Sequence, residues 1–179
     1  NIKQVKLLTE AVSHLGEGVL ITSSQLDWPG PHIIFVNDAM CRITGFTAEE
    51  LIGQSPRVLQ GDDSNRATLD RIKAELSAGR SARAEVINYR KDGTPYHAEL
   101  FITPLLDAEG NRTNFVSIHR DISEQKRVEN LLRQERNRAQ QYLDLMGVIM
   151  VSLDSCGDIT LLNRKGCEVL GWDEHELLG

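Results

Sequence analysis

Residues 35–61 read FVNDAMCRITGFTAEELIGQSPRVLQG, and this stretch decides the fold. Within it Thr47-Ala-Glu-Glu50 is a capping box, in which threonine and glutamate satisfy each other's free backbone amides at a helix start. Just upstream, Ile33–Val36 is a compact β-branched and aromatic run, which predicts a strand. A second short strand is expected over Val19–Thr22, beyond the proline- and glycine-rich loop SSQLDWPGPH at 23–32. Downstream, a helix is expected from about Ser64 to Ala78, closed by Gly79. The period then changes. Residues 83–90, 95–105 and 113–121 read as three strands, joined by the turns RKDG (90–93) and DAEGN (107–111). A helix-rich first half followed by an antiparallel meander gives an α+β domain.

Part of the same stretch recurs. Ile33–Gly53, IIFVNDAMCRITGFTAEELIG, returns 126 positions later as Ile159–Gly179, ITLLNRKGCEVLGWDEHELLG. That offset aligns Asn37 with Asn163, Cys41 with Cys167, Gly45 with Gly171 and Glu50 with Glu176. The expected organisation is therefore an amphipathic helix over 1–16, a full module over 17–122, a linker helix over 123–146 and the truncated start of a second module over 147–179. Val5, Leu8, Val12 and Leu15 give the first helix its spacing, and Gly16 and Gly18 break it. In the linker, Val128, Leu132, Ala139, Tyr142 and Met146 form a heptad stripe interrupted by Glu135. A plain tether and a dimeric coiled coil both fit that stripe.

Composition narrows the class. Hydrophobic residues make up 40% of the 179 and charged residues 26%, the balance of a soluble globular protein. A formal net charge of -6 argues against a general nucleic-acid or anionic-membrane surface. No apolar run approaches the ~20 residues of a bilayer span. The opening NIKQVKLLTEAV alternates charged and apolar groups, unlike a signal peptide, and its first residue suggests a piece of a longer chain. Cys41, Cys156 and Cys167 form no CxxC pair and no metal-ligand spacing, so they read as reduced thiols in the cytoplasm. The shared repeat position of Cys41 and Cys167 favours packing over reactivity. With no nucleophile–base pair or phosphate-binding loop in view, an enzyme is the least expected class.

The opening block, followed by NYRKDGTPYHAEL and HRDIS, resembles the PAS family. More narrowly it is similar to the flavin-binding branch that includes LOV photosensors and FAD-containing redox sensors. The resemblance implies a five-stranded antiparallel sheet with short helices over one face, enclosing a ligand pocket. In LOV domains the segment matching GQSPRVLQG holds the cysteine that attacks the photoexcited flavin. Here that position is Pro56, which has no thiolate and cannot form the adduct. By the same resemblance Arg57 and Lys73 match phosphate-contacting bases, Gln60 a ribityl and ring contact, and Asn88 an amide facing the pyrimidine edge. Three positions depart from the LOV pattern: Ser55, Ala98 and His119 stand where that pattern has two asparagines and a switching glutamine. Ala98 and His119 resemble the FAD redox sensors, which points to FAD ahead of FMN.

Alternation bears on the same residues. It places Ala84, Val86 and Asn88 on one face of their strand, and Phe115, Ser117 and His119 on one face of the last strand. An inward Asn88 needs a partner and offers both donor and acceptor, as a ligand edge or as a strand-end contact. An inward His119 is either a proton acceptor beside a redox ring or a satisfied core histidine. Arg57 and Lys73 are phosphate contacts or ordinary solvated charges. The opposite face is expected to carry Ile87, Phe101, Val116 and Ile118, covered by the N-terminal helix or a second subunit. The expected function is a cytoplasmic flavin redox sensor, signalling through the linker helix to an effector domain and dimerising through the N-terminal helix, outer sheet face and linker. The alternative is a ligand-free module for dimerisation and assembly. By the same resemblance a haem sensor is less expected, because the helix that supplies the family's axial ligand, residues 64–78 here, holds no histidine.

Overall fold

The computed structural model describes residues 16–28, 30–145 and 147–171. The chain divides into two units, one ending at Lys126 and the other beginning at Arg127. The amphipathic helix expected over residues 1–16 lies outside the described residues except for Gly16.

The first unit is one five-stranded antiparallel sheet with helices over its inner face. Its strands are β1 (Gly18–Ser23), β2 (Ile33–Val36), β3 (Ala82–Tyr89), β4 (Pro95–Leu106) and β5 (Arg112–Asp121), in spatial order β2-β1-β5-β4-β3. Between β2 and β3 run α1 (Asp38–Thr44), α2 (Ala48–Leu51), a 3₁₀ turn (Pro56–Leu59) and α3 (Arg66–Ser77). The expected strands and the long helix fall within a residue or two of these bounds. The capping box closes as expected: the Glu50 amide donates to Thr47 Oγ1 and the Thr47 amide to Glu50 Oε2. Two short elements escaped the sequence reading. One is α1, started by Asn37 and ended by Gly45 in the left-handed region at φ 76°. The other is the 3₁₀ turn, whose Ser55 cap and leading Pro56 suit a helix start.

Register puts the alternation to use. β5 sets His119 opposite both Gly18 and Leu100, Ser117 opposite Leu20 and Ile102, and Phe115 opposite Thr22 and Pro104. On β3, Asn88 pairs with Tyr96 and Val86 with Ala98. These residues share the inner face, where two apolar clusters form the core. One joins α3 to β3, β4 and β5 through Ile72, Leu76, Val86, Tyr96, Leu100 and Phe115. The other joins β1 and β2 to the short helices through Leu20, Ile33, Met40, Leu51 and Leu59. Ile87, Val116 and Ile118 lie half-buried on the outer face, and Phe101 is 46% exposed there. That face also carries a row of charge the sequence reading missed, in which Glu99 pairs with Arg83 and Arg120, and Arg120 with Glu17.

The second unit repeats the first on a smaller scale. Helix α4 (Ser123–Leu145) crosses the boundary, and β6 (Val151–Leu153), β7 (Ile159–Leu162) and α5 (Arg164–Leu170) follow. β7 and α5 match β2 and α1 residue for residue at the offset read from the sequence. Along α4, Val128, Leu132 and Tyr142 of the heptad stripe are exposed, together with Leu131 and Leu145; Met146 lies outside the described residues.

Candidate functional site

Between the inner sheet face and α3 lies a cavity of about 170 Å³. Its walls are mostly apolar, with Leu20 and Phe115 from the sheet, Leu59 from the 3₁₀ turn, and Leu69, Ile72 and Leu76 from α3. Ser55, Arg57, Gln60, Lys73, Asn88 and His119 all line it. Of the seven residues singled out from the sequence, six thus meet at one cavity. Ala98 does not. It faces inward from β4 and is fully buried in the core cluster, without lining the cavity.

Local chemistry explains each placement. Ser55 Oγ accepts the Arg57 amide at 3.4 Å and so holds the turn that carries Arg57 to the cavity mouth. Gln60 ends that turn, and the loop after it is clamped to β3. Ser64 Oγ donates to the Ile87 carbonyl at 2.6 Å, and the Tyr89 hydroxyl donates to Asp63 Oδ2 at 2.7 Å. Gly61 lies against the Tyr89 ring so closely that an added Cβ would fall 2.4 Å from it. At the other end of α3, Arg112 donates from Nη1 to the Leu76 carbonyl at 2.8 Å, which ties the helix end to β5.

Two inner-face groups dominate the polar chemistry. Asn88 is 4% exposed and faces the cavity. His119 is equally buried; its Nε2 lies 2.8 Å from Ser117 Oγ, and its Nδ1 is a buried nitrogen without a hydrogen-bond partner. Burial lowers the imidazole pKa to about 4, so the ring is neutral at pH 7. An orphaned buried nitrogen beside a cavity is the mark of a group awaiting a partner.

The mouth is cationic. Arg57, Arg66 and Lys73 reach it, tempered by Asp70, which pairs with Arg66 at 3.8 Å, and by Asp27, which pairs with Lys73 at 4.0 Å. These are loose, exposed pairs that an anion can displace. Sequence reasoning missed Arg66. The signal was present, since Arg66, Leu69, Asp70 and Lys73 follow helical spacing on one face of α3.

A third set of contacts ties the inner face to the start of α4. Asp121 Oδ2 accepts from Arg90 Nη2 at 2.6 Å, and Asp121 Oδ1 accepts the Ser123 amide at 2.9 Å. Arg90 also donates to the Ile43 carbonyl and stacks over the Tyr96 ring, 4.5 Å from its centroid. Ser123 Oγ accepts the His97 amide at 3.0 Å. Burial opposes ionisation of Asp121, but the bonds from Ser123 and Arg90 outweigh it and leave the carboxyl below its ordinary pKa.

Comparison with known proteins matches this arrangement. A blue-light photoreceptor of Listeria monocytogenes is 36% identical over 121 residues, 67% of this chain and 46% of that protein. A blue-light-activated histidine kinase of Brucella anthropi is 35% identical over 115 residues, 64% of this chain and 23% of that protein. The chain thus spans less than half the length of these curated relatives. Among solved structures, one described as "Flavin Analogue Sheds Light on Light-Oxygen-Voltage Domain Mechanism" superposes with a TM-score of 0.60 at 27% identity, covering 73% of this chain and 95% of that one. A family model for the PAS domain matches residues 16–124, which take in the whole five-stranded sheet, the cavity and the first two residues of α4. The chain belongs to the PAS domain family.

Proposed function

We propose that this domain is a flavin-binding sensor that reports the redox state of its ligand through α4 and does so without a cysteinyl adduct. The observation that carries the reading is the cavity itself: apolar walls, two inner polar groups in Asn88 and His119, and a mouth rimmed by Arg57, Arg66 and Lys73. A flat, largely apolar ring with one hydrogen-bonding edge and an anionic tail suits that distribution. The enclosed space is small, so the tail belongs at the mouth, among the three cations. A bound flavin supplies a ring that takes up electrons and protons.

The chain's own residues define the rest. Pro56 lines the cavity where the LOV pattern has its cysteine, so no thiol stands ready to add to the ring. Asn88 offers donor and acceptor to the ring edge. Neutral His119 lines the cavity, and negative charge arriving there raises the proton affinity of its imidazole. The resemblance of Ala98 and His119 to the FAD redox sensors favours FAD; FMN places the same ring in the cavity with a single phosphate at the rim. We further propose a cytoplasmic signalling chain in which α4 leads to an effector domain, and in which residues from 147 on begin a second module; the similarity to a blue-light-activated histidine kinase supports this. The domain senses and does not itself catalyse.

A second reading is a ligand-free assembly module. The exposed stripe Val128, Leu131, Leu132 and Tyr142 on α4 favours it, because such a stripe suits a partner helix in a second copy. The two readings separate on titration of the chain with FMN and FAD, followed by flavin fluorescence. Saturable quenching is expected, and Arg57→Ala with Lys73→Ala should weaken it by about tenfold or more, since charge-assisted bonds contribute about 1.5–3 kcal/mol each. Mass spectrometry of the ligand that copurifies distinguishes FAD from FMN. A chain that quenches neither flavin leaves only the assembly reading.

A further inference from the structure

Arg112 begins β5, three positions before Phe115, and strict alternation would send the two side chains to opposite faces of the sheet. The register is not strict there. Leu105 pairs with Asn114 but Leu106 with Arg112, so Thr113 is an extra residue on β5, a bulge at the start of the strand. Arg112 thereby meets the inner-face ring: its guanidinium lies over Phe115, 5.2 Å from the centroid. Phe115 is buried and lines the cavity, whereas Arg112 does not line it. Nη1 of Arg112 donates to the Leu76 carbonyl at 2.8 Å, and Nε is buried without a hydrogen-bond partner. Among the described residues no carboxylate pairs with this guanidinium. A buried guanidinium N–H without an acceptor is costly, and a methionine would cover the same ring without that cost. What the arginine adds is an unpaired positive charge behind an apolar cavity wall.

We infer that Arg112 raises the reduction potential of a redox ligand in the cavity through the charge it holds behind Phe115. Uptake of two electrons and one proton from an external reductant adds one negative charge to a flavin ring. A ring packed on Phe115 has atoms within roughly 9–10 Å of the guanidinium, the 5.2 Å above plus a van der Waals contact. Phe115 and the apolar walls around it screen little, so the attraction acts across that distance. Arg112 is itself half-buried, and solvent on its outer side takes part of the effect. Arg57, Arg66 and Lys73 stand at the mouth, where an anionic tail would lie; Arg112 acts on the ring from the opposite side of the wall. The choice of ligand rests on the flavin reading; the placement of the charge does not.

The test is the midpoint potential of FMN or FAD bound to the wild-type chain, Arg112→Gln, Arg112→Met and Arg112→Lys, read by reductive titration against a redox dye at pH 7. The two neutral variants should shift the two-electron equilibrium about tenfold towards the oxidised ligand, a fall of about 30 mV. Arg112→Lys keeps the charge and should stay within about twofold of the wild type. A residue that only ties the end of α3 to β5 would move all three variants alike or none of them, and either result overturns the inference. Bound flavin whose potential ignores Arg112 thus refutes the inference alone; a wild-type chain that binds neither flavin refutes the flavin reading and the inference with it. Should neither neutral variant fold, the wild type and Arg112→Lys are compared from pH 8 to pH 11. The lysine gives up its proton around its ordinary pKa of about 10.4, and the potential of that variant should then fall away from the wild type by the same tenfold equivalent. Parallel curves overturn the inference.

Discussion

At the scale of single residues, His119 carries the sharpest consequence. Its folded pKa of about 4 lies below the ordinary value of 6.5, because burial disfavours the charged ring. The unfolded chain therefore binds the extra proton first as pH falls. Stability from this group is complete above about pH 6.5 and is lost between there and about pH 4, a change on the order of 3 kcal/mol. Carboxylates that titrate in the same window make the absolute curve composite, so the comparison with His119→Gln isolates the histidine. The midpoint of urea unfolding should fall more steeply in the wild type than in His119→Gln on going from pH 7 to pH 4.5; parallel curves would contradict a buried neutral imidazole. His119→Gln should also keep its flavin while altering the ligand's reduction. The sequence alone placed His119 on the inner face through the alternation of Phe115, Ser117 and His119. It offered no sign that Nε2 would be met by Ser117 while Nδ1 went unmet, since that depends on rotamers and on what packs above the strand.

At the scale of elements, one asparagine is used twice in the same way. Asn37 Oδ1 accepts the Met40 amide at 2.9 Å as a helix cap and the Val19 amide at 2.8 Å from β1, while its Nδ2 donates to the Glu17 carbonyl at 3.1 Å. Asn163 repeats the set, accepting from Gly166 at 3.1 Å and Met150 at 2.9 Å and donating to the Val148 carbonyl at 2.7 Å. Each side chain thus joins a helix start to the strand or loop that precedes it. The repeat was legible because it conserves residue identity at constant spacing. The helix that it caps was not, since seven residues with mixed polarity give too short a period to read. Asn37→Ala should cost about 2–3 kcal/mol, more than an exposed cap, because buried backbone amides lose their acceptor. Thermal or urea unfolding of the first unit measures this; a loss under about 0.5 kcal/mol would show the joint to be dispensable. The 3₁₀ turn shows the converse case. Pro56 marked what chemistry was absent from the sequence, while its place as the first residue of a capped turn at the cavity wall emerged only with the fold.

At the scale of the whole molecule, the question is how events in the cavity reach α4. His119 and Asp121 lie two residues apart on β5, one on the cavity and the other holding the Ser123 amide at the start of the helix. Arg90 joins Asp121 to the end of α1 and to the Tyr96 ring behind Asn88. Position between two sites is not coupling, so the link has to be measured by perturbing it. Reduction of bound flavin is expected to change amide hydrogen exchange in Ser123–Leu145, and Arg90→Ala should abolish that change while flavin stays bound. A change of equal size in Arg90→Ala would mean that the signal takes another route. On the outer face, where Phe101 is exposed and the Arg83–Glu99–Arg120–Glu17 row runs, the sequence pattern named Ile87, Phe101, Val116 and Ile118 but none of the charges. Alternation located its hydrophobic members, but cross-strand charge pairs depend on register, which single-strand patterns do not fix.

The flavin claim is tested most directly by the absorption spectrum of the purified chain, supplied with FMN or FAD if it emerges colourless. The account requires a yellow protein whose blue band bleaches on chemical reduction, returns on reoxidation, and shows no light-driven cysteinyl adduct because residue 56 is proline. A chain that stays colourless after incubation with both flavins, or one that forms a thiol adduct under blue light, would contradict it.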